Sequence, residues 1–434
     1  MIALLNPLAL STIAIVGLTL VGQSIGVAMI AGSFLYLMLS GFDPSIAAET
    51  TLQGLYNGYT LLAIPLFILA ADLMNIGSIS DRLMQFCHAL VGRFRGGLGH
   101  VDIVASVIFS GMSGSAIADA AGMGRITINM MTRDGKYPAS YAAAIVAATA
   151  TIGPIIPPSI PMVLYALVSD TSIGYLFLAG VIPGLLMALA MGAVNVVQAH
   201  RRDFPVEPAT PLREWPRVTF RAFPALMLPV ILLGGIYGGV MTPTEAAAVA
   251  AAYALFVSVV FYRSISVPHL YGAVLSSARS TASIGILIAG ALCFNFVVTR
   301  ENIPDALSLL LQGYDLSPTM FLIVVNLMLL VLGCFLEGGT VLLVIIPIFI
   351  PTVQALGIDP VHFGVVVIVN LMIGLITPPY GLLLFVVANI TKSPLKAIII
   401  DLVPFILALL VSLGMITFIP ELVLWLPRLL GYQG

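Results

Sequence analysis

The residues of this chain best suited to chemistry carry almost no charge. TIGPIIPPSIPMV, Thr151–Val163, sets Gly153 and four prolines (Pro154, Pro157, Pro158, Pro161) inside an uncharged apolar stretch, Tyr141–Ser169. A second stretch, IGLITPPYGLLLF from Ile373, carries Gly374, Pro378 and Pro379 in the same arrangement. Proline has no N–H and clashes with the carbonyl four residues back, so a helix breaks there and carbonyl oxygens lose their partners. Within a bilayer such oxygens are tolerated only when buried in protein or lining a cavity. Freed carbonyls and the negative ends of half-helices suit a small cation. A single motif of this kind reads first as a kink in a packed helix; two related copies favour binding.

The elements that position these residues must lie in a membrane. Of the 434 residues 60% are hydrophobic and 8% charged, with a mean hydropathy of +1.12, far too apolar for a soluble chain of this size. The net charge of −2 says nothing about partners, and without a basic patch no nucleic-acid partner is expected. Cys87, Cys293 and Cys334 sit in apolar surroundings without CxxC spacing, as packing residues do. The first residues lack a basic n-region and a cleavage site, so they read as a retained helix. Crossings are expected at about 4–21, 24–41, 58–76, 139–168, 173–198, 222–240, 244–262, 280–299, 361–390 and 398–420. Stretches 101–132 and 319–353 are long for one span of ~20 residues and short for two. Each has small residues at its middle, SGMSGSA (Ser110–Ala116) and EGGT (Glu337–Thr340), and reads as a re-entrant hairpin. With that layout 14 of the 17 Lys and Arg fall on the cytoplasmic side, and both termini lie outside.

The chain also resembles itself. Gly153 and Gly374, Pro157 and Pro378, Pro158 and Pro379, and Pro183 and Pro404 all stand 221 apart; ISDRL at Ile79 and IPDAL at Ile303 stand 224 apart. Both halves run helix, hairpin, proline-broken helix, helix. The basic loop around Arg93–Arg95 corresponds to the uncharged Gly313–Thr319 region, apart from Asp315. The Asp170–Ser172 turn corresponds to the basic Lys392–Lys396 loop. Matching loops have swapped sides, so the repeats are inverted, an arrangement of secondary transporters. The expected domains are 1–57 (scaffold helices), 58–198 (first transport repeat), 199–279 (connector, scaffold helices and an arm), 280–420 (second transport repeat) and 421–434 (tail). Segments 42–56 and 264–279 read as amphipathic arms.

FSGMSGSAIADAAGMG (Phe109–Gly124), GPIIPPS (Gly153–Ser159), MTPTEAAAVAAAYA (Met241–Ala254) and TPPYGLLLFVVANI (Thr377–Ile390) resemble the large, DctM-like membrane subunit of TRAP (tripartite ATP-independent periplasmic) transporters. The similarity runs from about residue 15 to 420. It implies an all-α elevator-type importer in the bacterial inner membrane, driven by a sodium gradient, with Na+ as coupling ion. It also implies a small four-helix membrane partner and a soluble periplasmic binding protein that delivers an organic anion, often a carboxylate. Arg125, in the first hairpin, departs from the small or polar residue of many relatives, and Asn129–Met131 replaces a PAM-like run.

On this reading a first sodium site would use Ser113, Gly114 and Ser115 of the hairpin tip with Gly153, Ile156 and Pro158 of the broken helix. Its counterpart would use Gly338, Gly339 and Thr340 with Gly374, Thr377 and Pro379. The anion would sit between the tips, where half-helix N-termini present free N–H groups, near Arg125, Ser115 and Thr340. Arg125 has a structural alternative, an ion pair with Asp119 or a snorkelling side chain. Glu337 and Asp119 are each a cap or pairing partner, or a ligand. Glu245 reads as part of a capping box with Thr242. Asp72 and Asp401 lie within or near spans without an evident partner. The five histidines lie near loop ends without HExxH spacing and read as interface residues. A stand-alone sodium–anion symporter of similar architecture is the nearest alternative function. A channel would need a ring of pore charges, which is not evident. An ATP-driven importer would need a separate ATPase, because the chain has no GxxxxGK[ST] motif.

Overall fold

The structure, a computed structural model, describes residues 6–76, 79–312 and 317–434. The loop at Gly313–Leu316, which lacks Lys and Arg, lies outside them. The described chain is helical apart from one isolated antiparallel bridge, Arg95 to Val206. Helices satisfy their own N–H and C=O groups, as an apolar chain in a bilayer must. The first group is α1 (Pro7–Leu20), α2 (Ile25–Leu39), α3 (Ser45–Asn57) and α4 (Ala63–Ile76). The first repeat continues with α5 (Ile79–Val91), α6 (Gly97–Ser113), α7 (Ala116–Ala121), α8 (Met123–Thr132), α9 (Ala139–Ala150), α10 (Ile160–Ser169) and α11 (Ile173–Arg201). Next come α12 (Trp215–Tyr237), α13 (Pro243–Phe256) and α14 (Val267–Arg300). The second repeat is α15 (Ile303–Gln312), α16 (Pro318–Phe335), α17 (Gly338–Thr340), α18 (Ile346–Ala355), α19 (Pro360–Gly374), α20 (Leu382–Thr391) and α21 (Leu395–Phe418); α22 (Glu421–Leu429) ends the chain. A π-helical turn, Val341–Ile345, joins α17 to α18, so Gly338–Ala355 runs as one leg. By length and composition 7 helices among the described residues can cross a membrane, or 8 with the bent α3–α4 pair taken as one span. They include both legs of the second hairpin.

The repeat is written in hydrogen bonds as well as in prolines. Tyr141 Oη donates to Asn195 Oδ1 at 2.8 Å, and at the equivalent positions His362 Nε2 donates to the Ile416 carbonyl at 2.9 Å. Thr149 Oγ1 donates to Asp102 Oδ2 at 2.6 Å; its counterpart Asn370 Nδ2 donates to Asn326 Oδ1 at 2.7 Å. The offsets are again 221, and 224 for the hairpin legs that carry Asp102 and Asn326. Contacts between repeats are reciprocal. α20 packs on α7 and α9 while α10 packs on α17 and α19, and α21 packs on α9 while α11 packs on α19. Reciprocal contacts of this kind are what a pseudo-two-fold axis produces. His362 is thus a buried repeat contact, which corrects its reading as an interface residue.

Other expectations change. Residues 264–279 are no separate arm, because Val267–Arg300 is one helix of 34 residues. Its run SSARSTAS (Ser276–Ser283) contains no proline or glycine, and its alanines and arginine favour helix. The 279/280 boundary therefore falls inside an element. α4 rests mainly on α13 and α14, and α14 on α2, α3 and α4. Spans 58–76 and 280–299 accordingly pack mainly with the scaffold helices, with smaller contacts to the hairpins. Small residues make this close: a Cβ on Gly290 would lie 2.3 Å from the Gly26 carbonyl oxygen, and Ala246, Ala247, Ala250 and Ala254 form the buried face of α13. The 421–434 tail is ordered as α22 against α11 and α19, with Tyr432 Oη bonded to Asp359 Oδ1 at 3.2 Å. Asp401 pairs with Arg202 at 2.6 Å. Thr242 and Glu245 form the expected capping box.

Candidate functional site

The first hairpin turns at Gly114, whose φ of +62° lies in the left-handed region open to glycine. A Cβ there would stand 2.5 Å from the Pro158 carbonyl oxygen, so only glycine lets the tip meet the broken helix. Ser115 caps α7, its Oγ accepting from the Ala118 N–H at 3.4 Å. Ser113 Oγ accepts from the Ser115 N–H at 3.3 Å and donates to Asp119 Oδ1. Asp119 is therefore a hydroxyl acceptor and neither a cap nor a partner of Arg125. It is buried, its Oδ2 has no hydrogen-bond partner among the described residues, and a Cβ on Gly153 would lie 2.0 Å from that oxygen. The broken helix is held open from within. α9 stops at Ala150, and residues 151–158 are buried in turns with i→i−3 bonds and one helical bond, Ile156 N–H to the Ile152 carbonyl at 3.1 Å. Ser159 caps α10 through the Met162 N–H at 3.2 Å while donating to the Pro154 carbonyl. The carbonyls of Gly153, Ile156 and Pro158 accept no hydrogen bond among the described residues. Orphaned buried oxygens are costly unless something else satisfies them. The Pro157–Pro158 and Pro378–Pro379 peptides are both cis.

The second half-site is assembled differently. The Gly374 carbonyl already accepts from the Thr377 N–H at 3.1 Å, and Thr377 Oγ1 donates to the Ile373 carbonyl at 2.7 Å. The carbonyls of Thr377 and Pro379 accept no hydrogen bond among the described residues. Gly333 and Cys334, one turn before the tip, press on this break. A Cβ on Gly374 would lie 2.7 Å from the Gly333 carbonyl carbon, the Gly381 N–H donates to the Cys334 carbonyl at 3.3 Å, and Cys334 Sγ lies 3.6 Å from the Pro378 oxygen. Gly338 faces Leu371 and Met372, Gly339 faces Leu287 and Leu164, and Thr340 is buried. The Gly338–Thr340 turn packs on α19, the helix that ends at Gly374. Glu337 is exposed, and its side chain makes no cap to α17.

Between the tips lies a cavity of about 130 Å³. Gly114 and Ser115 wall one side and Glu337, Gly338 and Gly339 the other. Pro154, Ile160, Pro161 and Leu164 come from the first broken helix, Met372 and Leu375 from the second, and Ile284 and Leu287 from α14. α7, α10 and the Gly338–Ala355 leg all begin at this wall, so unpaired N–H groups and positive helix ends gather there. Of the expected substrate contacts, Ser115 lines the cavity; Thr340 does not, and Arg125 is exposed on α8.

Sequence reading overlooked the buried Asp102–Thr149 bond and the Asn370–Asn326–Thr417 chain, in which Asn326 Nδ2 donates to Thr417 Oγ1 at 3.0 Å. The signal was present: one acid in the apolar run VDIVASVIF, at the position of Asn326 in the other repeat.

Comparison with known proteins agrees with this architecture. The chain is 41% identical to the sialic acid TRAP transporter large permease protein SiaM of Vibrio cholerae over 418 residues, 96% of this chain and 97% of that protein. It is 45% identical to the C4-dicarboxylate TRAP transporter large permease protein DctM of Pseudomonas aeruginosa over 373 residues, 86% of this chain and 87% of that one. The crystal structure of the Alcanivorax borkumensis YdaH transporter shares the fold at a TM-score of 0.57 and 16% identity, covering 86% of this chain and 87% of that chain. The family described as "Tripartite ATP-independent periplasmic transporter, DctM component" matches residues 12–422, and this chain belongs to it, as a TRAP transporter large permease.

Proposed function

We propose that this permease imports a small organic anion, a carboxylate, coupled to a sodium gradient across the bacterial inner membrane. The observation that carries the reading is the cavity between two hairpin tips. Helix N-termini face it, and beside it the first broken helix holds carbonyls without donors. The N-termini suit the anion and the carbonyls suit Na+. The relatives named for sialic acid and for C4-dicarboxylates handle organic acids. A cavity of about 130 Å³ is small against the ~300–1,000 Å³ of a drug-sized pocket, which favours the shorter carboxylate in this conformation. The hairpins and broken helices would move as an elevator against α2, α4, α13 and α14. A small four-helix membrane subunit would extend the scaffold, and a periplasmic binding protein would deliver the anion. The basic loops would face the cytoplasm and both termini the periplasm.

Uptake into proteoliposomes tests this, using the permease with its small subunit and binding protein and C4-dicarboxylate and sialic acid as trial substrates. An inward sodium gradient should drive accumulation that potassium does not replace. Full uptake without the other two components would favour a stand-alone symporter, and uptake driven by ATP without sodium would overturn the proposal.

A further inference from the structure

A second cavity, about 880 Å³, opens between α6 and α11 and shares no lining residue with the site between the tips. Its walls are aliphatic, with Ile103, Val104 and Val107 on one side and Leu185, Leu189 and Val196 on the other. Leu189 is 73% exposed, as a side chain facing lipid would be. Gly192 lies in the groove, and a Cβ there would meet nothing within 4 Å. At one end the lining turns basic, with Arg95, His100 and His200, and no Asp or Glu lines any part of it. The start of α6 and the end of α11 abut there, because a Cβ on Gly96 would lie 2.5 Å from Ala199 Cβ. Arg93 and Arg201 stand beside this mouth in sequence. Arg95 also meets Asp203 at 2.6 Å, but that pair is exposed and of little strength.

We propose that this groove holds an acyl chain of an anionic phospholipid, with its phosphate at Arg95. From Leu185 to His200 α11 rises about 22 Å, enough for one leaflet of a ~30 Å core and its headgroup. The aliphatic walls run the length an alkyl chain needs, and the charged mouth stands where its headgroup would lie. A basic mouth above apolar walls selects an anionic headgroup over a zwitterionic one.

Native mass spectrometry of the purified full chain, offered equal phosphatidylglycerol and phosphatidylcholine of the same acyl chains, tests this. Wild type should retain phosphatidylglycerol about fivefold over phosphatidylcholine, the worth of one basic side chain near an anionic surface. Arg95→Gln should bring the ratio close to one, while Arg95→Lys should keep most of the preference. Gly192→Leu should lower both adducts by filling the groove; should that variant not fold, Ala193→Leu reads the same space. Equal retention by wild type, or a preference that survives Arg95→Gln, would overturn the proposal. So would groove variants that leave lipid adducts intact while weakening capture of the small membrane subunit.

Discussion

Two glycines, one at the first tip and one in the broken helix, decide what approaches what. Gly153 leaves room for the Asp119 carboxylate and Gly114 for the Pro158 carbonyl, so alanine at either position must push the tip from the break. Gly153→Ala should lower uptake about tenfold or more, equivalent to ~1.4 kcal/mol. Gly414→Ala should leave it unchanged, because a Cβ there meets nothing within 4 Å; rates in proteoliposomes at matched protein content compare the two. Ser113→Ala strips Asp119 of its hydroxyl donor, and Thr377→Ala alters the second break. Both should raise the sodium concentration for half-maximal uptake while membrane insertion stays normal, and an unchanged sodium dependence in well-folded variants would refute this placement of the ion. At this scale the glycines, prolines and serines of the first site were legible, because backbone that must break within a membrane leaves a compositional mark. The partners of Thr377 and Pro379 were not. Gly333 and Cys334 reach that break from one turn before the tip, and only the packing of α16 on α19 shows it.

Elements were legible where punctuation was strong. Both broken helices and both hairpin legs fall within a few residues of expectation, since Gly and Pro mark their ends. Where small polar residues stood in for punctuation, as in α14, the reading broke one helix into two. The alliance of α4 with α13 had no local signal at all, because an alanine face does not name its partner. The equivalence of Asp102 with Asn326 yields a prediction at this scale. Asn can accept the Thr149 hydroxyl as Asp does, so Asp102→Asn should change stability by less than ~1 kcal/mol. Asp102→Leu, which leaves Thr149 without its buried acceptor, should cost about 1–3 kcal/mol. Thermal unfolding of the purified permease measures both.

For the whole molecule the claim is two repeats related by a pseudo-two-fold axis, placed with opposite sidedness in the membrane. The Asp170–Ser172 turn and the Lys392–Lys396 loop are sequence equivalents and should therefore face opposite compartments. The native cysteines are all buried. Ser172→Cys should thus react with an impermeant thiol reagent added outside, and Ser393→Cys only with reagent added inside. Labelling of both from one side would end the inverted arrangement.

The central claim is that the unpartnered carbonyls beside the tips hold sodium. Radioactive Na+ binding to the purified permease, without substrate or partners, tests it most directly. The account predicts saturable binding that excess unlabelled Na+ displaces and K+ does not, sharply weakened by Gly153→Ala and intact in Gly414→Ala. Binding that is absent from wild type, or equal in both variants, would contradict it.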